Sequence, residues 1–170
     1  MARSLLVLGL LALAPWSLRA RIPAMDTGTI AVLADLFEKG GSGRLPMERA
    51  AFLVRDGERC RCLLWPFTGQ FQQTSYVGAV PAAAFAVAHT HPNGMPNPSV
   101  ADRALARRLE LPVVVVTARR VSAAIPGEKR TRVLLTGTWR KGAPDLACEE
   151  MGESATAPAL SAPRPGAPRN

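Results

Sequence analysis

In residues 29–39, Thr-Ile-Ala-Val-Leu-Ala-Asp-Leu-Phe-Glu-Lys, apolar side chains recur every three to four positions until Gly40-Gly41-Ser42-Gly43 stops the run. That spacing predicts an amphipathic helix packed on a sheet. The pattern then changes period. Residues 47–55 and 59–65 read as two strands joined by the hairpin dipeptide Asp56-Gly57. A short apolar run over residues 84–88 predicts a buried strand, which His89 and His91 continue or just end. Pro96 and Pro98 remove the backbone donors that a ladder requires and Gly94 marks a turn, so residues 93–98 form a loop. Ser99 restarts the chain as the N-cap of a helix over residues 101–110, with Arg103, Arg107 and Arg108 facing outward. Pro112-Val113-Val114-Val115-Val116-Thr117 is a β-branched run suited to a fully buried strand, and residues 119–125 and 130–139 form a second hairpin around Pro126-Gly127. A leading helix, three strands, a helix and three further strands imply one α/β domain: a mixed β-sheet flanked by helices.

The two ends read differently from this core. Met1-Ala2-Arg3 followed by an apolar stretch over residues 4–14 has the form of a signal peptide, with cleavage expected after Ala20. The apolar stretch is shorter than the roughly 20 residues of a transmembrane helix; an uncleaved membrane anchor is the other reading. Export implies a periplasmic or secreted protein in a compartment that permits disulfides. Residues 21–141 are then the folded domain, and residues 142–170, rich in Ala, Pro, Ser and Gly, a disordered tail. Residues 68–80 lack periodicity and read as a loop able to border a substrate groove.

The chain of 170 residues is long enough for one domain with its own core. Its net charge is +8, and +6 remains once Arg3 and Arg19 leave with the signal. A basic balance fits nucleic acid or an acidic surface. The sequence shows no helix-turn-helix, aromatic RNA-binding motif or Lys-rich arm, so the charge is assigned to a solvated arginine-rich face and no nucleic-acid partner is expected. Of three cysteines, Cys60 and Cys62 share one face of a strand and Cys148 stands near the tail. One bridge from Cys148 to either of them, leaving a free thiol, is the oxidised arrangement this spacing allows.

The chemistry concentrates in one stretch, because both histidines of the chain lie within three positions. Side chains two apart on a strand point the same way, so His89 and His91 offer two imidazoles on one face, the donor type that zinc takes. Asp102, three residues after Ser99, has two readings: partner in a capping box, or third ligand where a tight loop folds the helix start back beside the strand end.

His89-x-His91-Pro92, six residues and Ser99-x-x-Asp102 resemble the signature of the MPN/JAMM (JAB domain) metallopeptidases. The run from His89 through Gly94, Pro96, Pro98 and Ser99 to Asp102 is still more similar to RadC-type proteins of the same superfamily. The resemblance implies a JAB/MPN-like, cytidine-deaminase-like architecture and one Zn²⁺ per chain on His89, His91 and Asp102. It also implies a glutamate general base at Glu48, where Glu48-Arg49-Ala50-Ala51-Phe52-Leu53 follows the family pattern except that Ala51 replaces a glycine, and a hydroxyl at Ser99 that stabilises the oxyanion. The activity implied is hydrolysis of a peptide or isopeptide bond in a peptide or protein substrate. Two other classes are consistent with the motif: a RadC-like protein associated with nucleic acid, and a non-catalytic MPN-type interaction module.

Overall fold

The computed structural model describes residues 22–69 and 76–151. The expected signal peptide or anchor, and the tail beyond residue 151, lie outside the described residues. Among the described residues no helix is long and apolar enough to cross a membrane.

Asp26 caps helix α1, Thr27–Lys39, by accepting a hydrogen bond from the backbone N–H of Thr29, and the apolar stripe of the helix is buried through Val32, Leu33, Leu36 and Phe37. Gly40 closes the helix. A Cβ there would stand 2.7 Å from Thr90 Oγ1 and 2.8 Å from its Cγ2, so the glycine lets the helix end approach the sheet. Strands β1, Ala50–Asp56, and β2, Arg59–Leu64, pair from Ala51 opposite Leu64 to Asp56 opposite Arg59. The two-residue loop is therefore Gly57-Glu58, one position later than expected, with glycine leading it at φ +58°.

Strand β3, Ala84–Thr90, runs antiparallel to β1 and parallel to β4, Val113–Val116, from which α2, Val100–Leu109, separates it. Strands β5, Arg120–Ala124, and β6, Arg132–Thr136, form the second hairpin. Among the described residues these six strands and a short seventh, β7 (Glu149–Glu150), stand in the order β6-β5-β4-β3-β1-β2-β7, with α1 and α2 beside them. The mixed sheet flanked by helices is as the hydrophobic pattern predicts, and β7 is the strand it does not show.

Strand alternation divides the core into two layers. Ala51, Leu53, Cys62, Leu64, Ala86, Ala88, Val114 and Val116 pack with α1. Ala50, Phe52, Val87, Val113 and Ala124 pack on the opposite face with Ala106 of α2. The four valines of β4 are fully buried, with Val114 and Val116 in the core layer that includes α1 and Val113 in the layer that includes Ala106 of α2.

The boundary expected at residue 141 moves. Residues 142–151 stay on the fold: Cys148 is bonded to Cys62, its backbone N–H donates to Asp35, and Glu149–Glu150 (β7) pairs parallel with β2. The bridge expected from Cys148 to one of Cys60 and Cys62 is made to Cys62, 86 positions earlier, and it anchors a segment whose composition alone reads as tail. The cysteine left unpaired is Cys60, which is buried.

Candidate metal centre

The pairing register builds the site. Ala50 stands opposite His89, so the chain entering β1 passes the end of β3, and Glu48, two residues before Ala50, belongs to the same face of the sheet. Thr90 fastens this junction: its N–H donates to the Arg49 carbonyl and its hydroxyl accepts from the Arg49 N–H at 3.0 Å. Glu48 thus lies just before β1 rather than within it, and its Oε2 is 3.3 Å from His89 Nδ1.

His89 ends on the face that α2 covers. His91, one residue past the strand, opens a short 3₁₀ turn, Pro92–Gly94, in which Gly94 takes φ +70°. The His91 Nδ1 is 2.9 Å from the Met95 carbonyl. A carbonyl only accepts, so Nδ1 carries the proton and Nε2 presents its lone pair.

Asp102 reaches the same place from the first turn of α2. Ser99 and Asp102 form a capping box: the Ser99 hydroxyl accepts from the Asp102 N–H at 3.1 Å, and the Ser99 N–H donates to Asp102 Oδ2 at 2.6 Å. The carboxylate also places Oδ1 3.0 Å from His89 Nε2 and Oδ2 3.6 Å from His91 Nε2. The capping-box reading of the residue is realised, and the same carboxylate stands beside both histidines, where the ligand reading requires it.

All five sequence-predicted residues meet here, with Ser99 joined to the others through Asp102. Glu48, His89 and His91 each bring one donor atom within 4.8 Å of the others, a group able to hold a metal ion. Asp102 meets the same imidazoles with two different oxygens. The site is enclosed: His89, His91 and Asp102 are 4, 6 and 7% exposed. Both ring nitrogens of His89 are buried and neither has an aligned hydrogen-bond partner, although carboxylate oxygens lie 3.3 and 3.0 Å away. Buried nitrogens approached closely but left without aligned hydrogen bonds suit an ion that draws the donors together better than they suit a finished hydrogen-bond network.

Electrostatics follow from the enclosure. Burial by itself depresses the His89 imidazole, but the Asp102 and Glu48 carboxylates outweigh it and raise its pKa to about 9. Burial pushes Asp102 upward, and the two imidazoles with the Ser99 N–H overcome this, holding it far below the usual carboxylate range.

Two contributors have no motif of their own. Thr90 joins the two strand ends, and Ser122 of β5, fully buried, donates a 2.5 Å hydrogen bond to the Pro96 carbonyl in the loop between the histidines and α2.

Residues 77–130 match the family model described as RadC: RadC-like JAB domain. The matched stretch contains β3, the histidine loop, α2, β4 and β5, while Glu48 lies before it. No curated protein and no solved structure gives a match. The histidine loop, the mixed sheet and this match over residues 77–130 are consistent with a JAB/MPN domain with RadC similarity.

Proposed function

We propose that the chain is a zinc-dependent hydrolase of peptide or isopeptide bonds, with His89, His91 and Asp102 as metal ligands, Glu48 as general base and Ser99 as oxyanion donor. The observation that carries the reading is the convergence of Glu48, His89 and His91 within 4.8 Å around the buried His89, whose two ring nitrogens lack aligned partners. Spacing supports the ligand set. Two donors each about 2.1 Å from a tetrahedral zinc stand about 3.4 Å apart, and Asp102 lies 3.0 and 3.6 Å from the two Nε2 atoms.

When bound, zinc supplies a water acidic enough to yield hydroxide near pH 7 and a positive charge for the carbonyl oxygen. The protein's part is orientation and proton transfer. The Met95 carbonyl holds the His91 ring with Nε2 turned toward Asp102, whose carboxylate stands 3.0 and 3.6 Å from the two Nε2 atoms. Glu48, 12% exposed, accepts the proton of the attacking water and returns it to the leaving amine. The Ser99 Oγ uses a lone pair in the capping box, which leaves its own O–H proton to donate to the tetrahedral oxyanion.

The Cys62–Cys148 disulfide supports an exported location, since such bonds persist in oxidising compartments. RadC similarity supports a second reading, a RadC-type protein associated with nucleic acid, to which the exposed Arg107 and Arg108 of α2 would contribute. Hydrolysis of a peptide library by the zinc-loaded wild type, set beside Glu48→Gln and salt-dependent DNA binding, separates the two. Cleavage abolished in Glu48→Gln supports the hydrolase. DNA binding that weakens with salt, with no cleavage by the wild type, favours the second reading.

A further inference from the structure

We infer that Ser122 is a positioning residue for His91, acting through the backbone of the histidine loop. Its consequence for metal affinity rests on the zinc reading above; its consequence for the imidazole does not.

Ser122 lies in the middle of β5, opposite Val115, which in turn stands opposite His89. Its neighbours Val121 and Ala123 face α1, whereas Ser122 and Ala124 face the α2 side, where the histidines are. A hydroxyl at 0% exposure among valines and alanines adds nothing to packing and costs free energy unless bonded. Its bond goes to the Pro96 carbonyl. The preceding carbonyl, that of Met95, accepts from His91 Nδ1 at 2.9 Å.

Two consecutive carbonyls of one loop are thus held from two directions, one by the strand hydroxyl and one by the imidazole. Pro96 and Pro98 restrict the backbone between Gly94 and the helix cap, so the peptide that Ser122 fixes at Pro96 sets where the Met95 oxygen points. That oxygen selects the Nδ1–H tautomer of His91 and aims Nε2 at Asp102, 3.6 Å away. The Met95 carbonyl is the partner one step behind the ligand, the kind whose loss typically changes metal affinity by about 10- to 100-fold, and Ser122, a step further back, acts through it with a smaller effect, up to about 10-fold.

The test uses Ser122→Ala together with Ser122→Thr and Ser122→Val, a pair of one shape differing only in the hydroxyl. Long-range ¹H–¹⁵N correlation spectra of the metal-free chain report the tautomer of neutral His91, chelator competition reports zinc affinity, and thermal melts report folding. The expected result is Nδ1–H in wild type and Ser122→Thr. In Ser122→Ala and Ser122→Val we expect loss of that preference and zinc binding weaker by up to about 10-fold, at melting temperatures that match between Thr and Val. Should Ser122→Ala not fold, the Thr and Val pair decides. Nε2–H in the wild type, or an unchanged tautomer and affinity in Ser122→Val, overturns the inference. Failure of the wild type to bind zinc overturns the metal reading instead, and the tautomer comparison still decides the role of Ser122.

Discussion

Raising the pH on metal-free protein should remove stability that the His89 proton supplies. The imidazole stands between Asp102 Oδ1 at 3.0 Å and Glu48 Oε2 at 3.3 Å, and with no metal it is the cation between them. Burial lowers its pKa and the carboxylates more than offset this, from 6.5 to about 9. The folded-state pKa exceeds the unfolded one, so the contribution is fully present below 6.5 and is lost as pH rises through 9. At about 1.4 kcal/mol per unit the loss is about 3 kcal/mol. Urea unfolding of chelator-treated protein at several pH values between 6 and 9.5 measures it, with His89→Gln as the reference that lacks the titrating group. The same proton competes with metal, so apparent zinc affinity should rise by up to about tenfold per pH unit toward 9, with proton release on binding visible by calorimetry in buffers of different ionisation enthalpy. Stability of the metal-free wild type that rises across this window relative to His89→Gln, or binding at pH 7 without proton release, refutes the reasoning.

Three further predictions follow from separate parts of the fold. Cys148→Ser opens a loop spanning 86 residues and releases β7 from the sheet edge; the chain-entropy account puts the cost at about 4–5 kcal/mol, read as a lower urea midpoint in non-reducing buffer, and an unchanged midpoint refutes the staple. Gly40→Ala meets Thr90 Oγ1 at 2.7 Å, although φ at Gly40 (−78°) suits alanine, so it should destabilise by about 1–3 kcal/mol in thermal melts, whereas a gain in stability would show that the helix end is not pressed on the sheet. Ser99→Ala should cost about 1 kcal/mol of stability through the lost cap, and, where peptide cleavage is measurable, about 10²–10³ in kcat; a loss of stability with kcat unchanged leaves the residue a cap alone.

Much of the fold was legible because its signals are local. The helix of residues 27–39, the valines of β4 and the proline-rich loop each announce themselves by period or backbone chemistry. The site was legible where motif and element coincide: two histidines at a strand end and a capping box at a helix start. What escaped depends on distant pairing. The sequence does not show which of Cys60 and Cys62 meets Cys148, since both lie on one face of β2 and the choice is made by how residues 142–151 return to the sheet edge. Composition there suggests a tail, and one disulfide overrides it. Ser122 looks like any polar residue on a strand until the loop is seen to rest on it, and Thr90 reads as the spacer between the histidines while it holds the Glu48 segment in place. The hairpin turn moved by one residue because the glycine leads the loop rather than following an aspartate inside it.

The central claim, that Glu48, His89, His91 and Asp102 form a zinc centre, is tested most directly by the metal content of purified protein measured by mass spectrometry, wild type beside His89→Ala. The account predicts one zinc per chain in the wild type and none in the variant at equal folding. A folded wild type that purifies without zinc and takes none up on dialysis, or a His89→Ala variant that keeps it, contradicts the account.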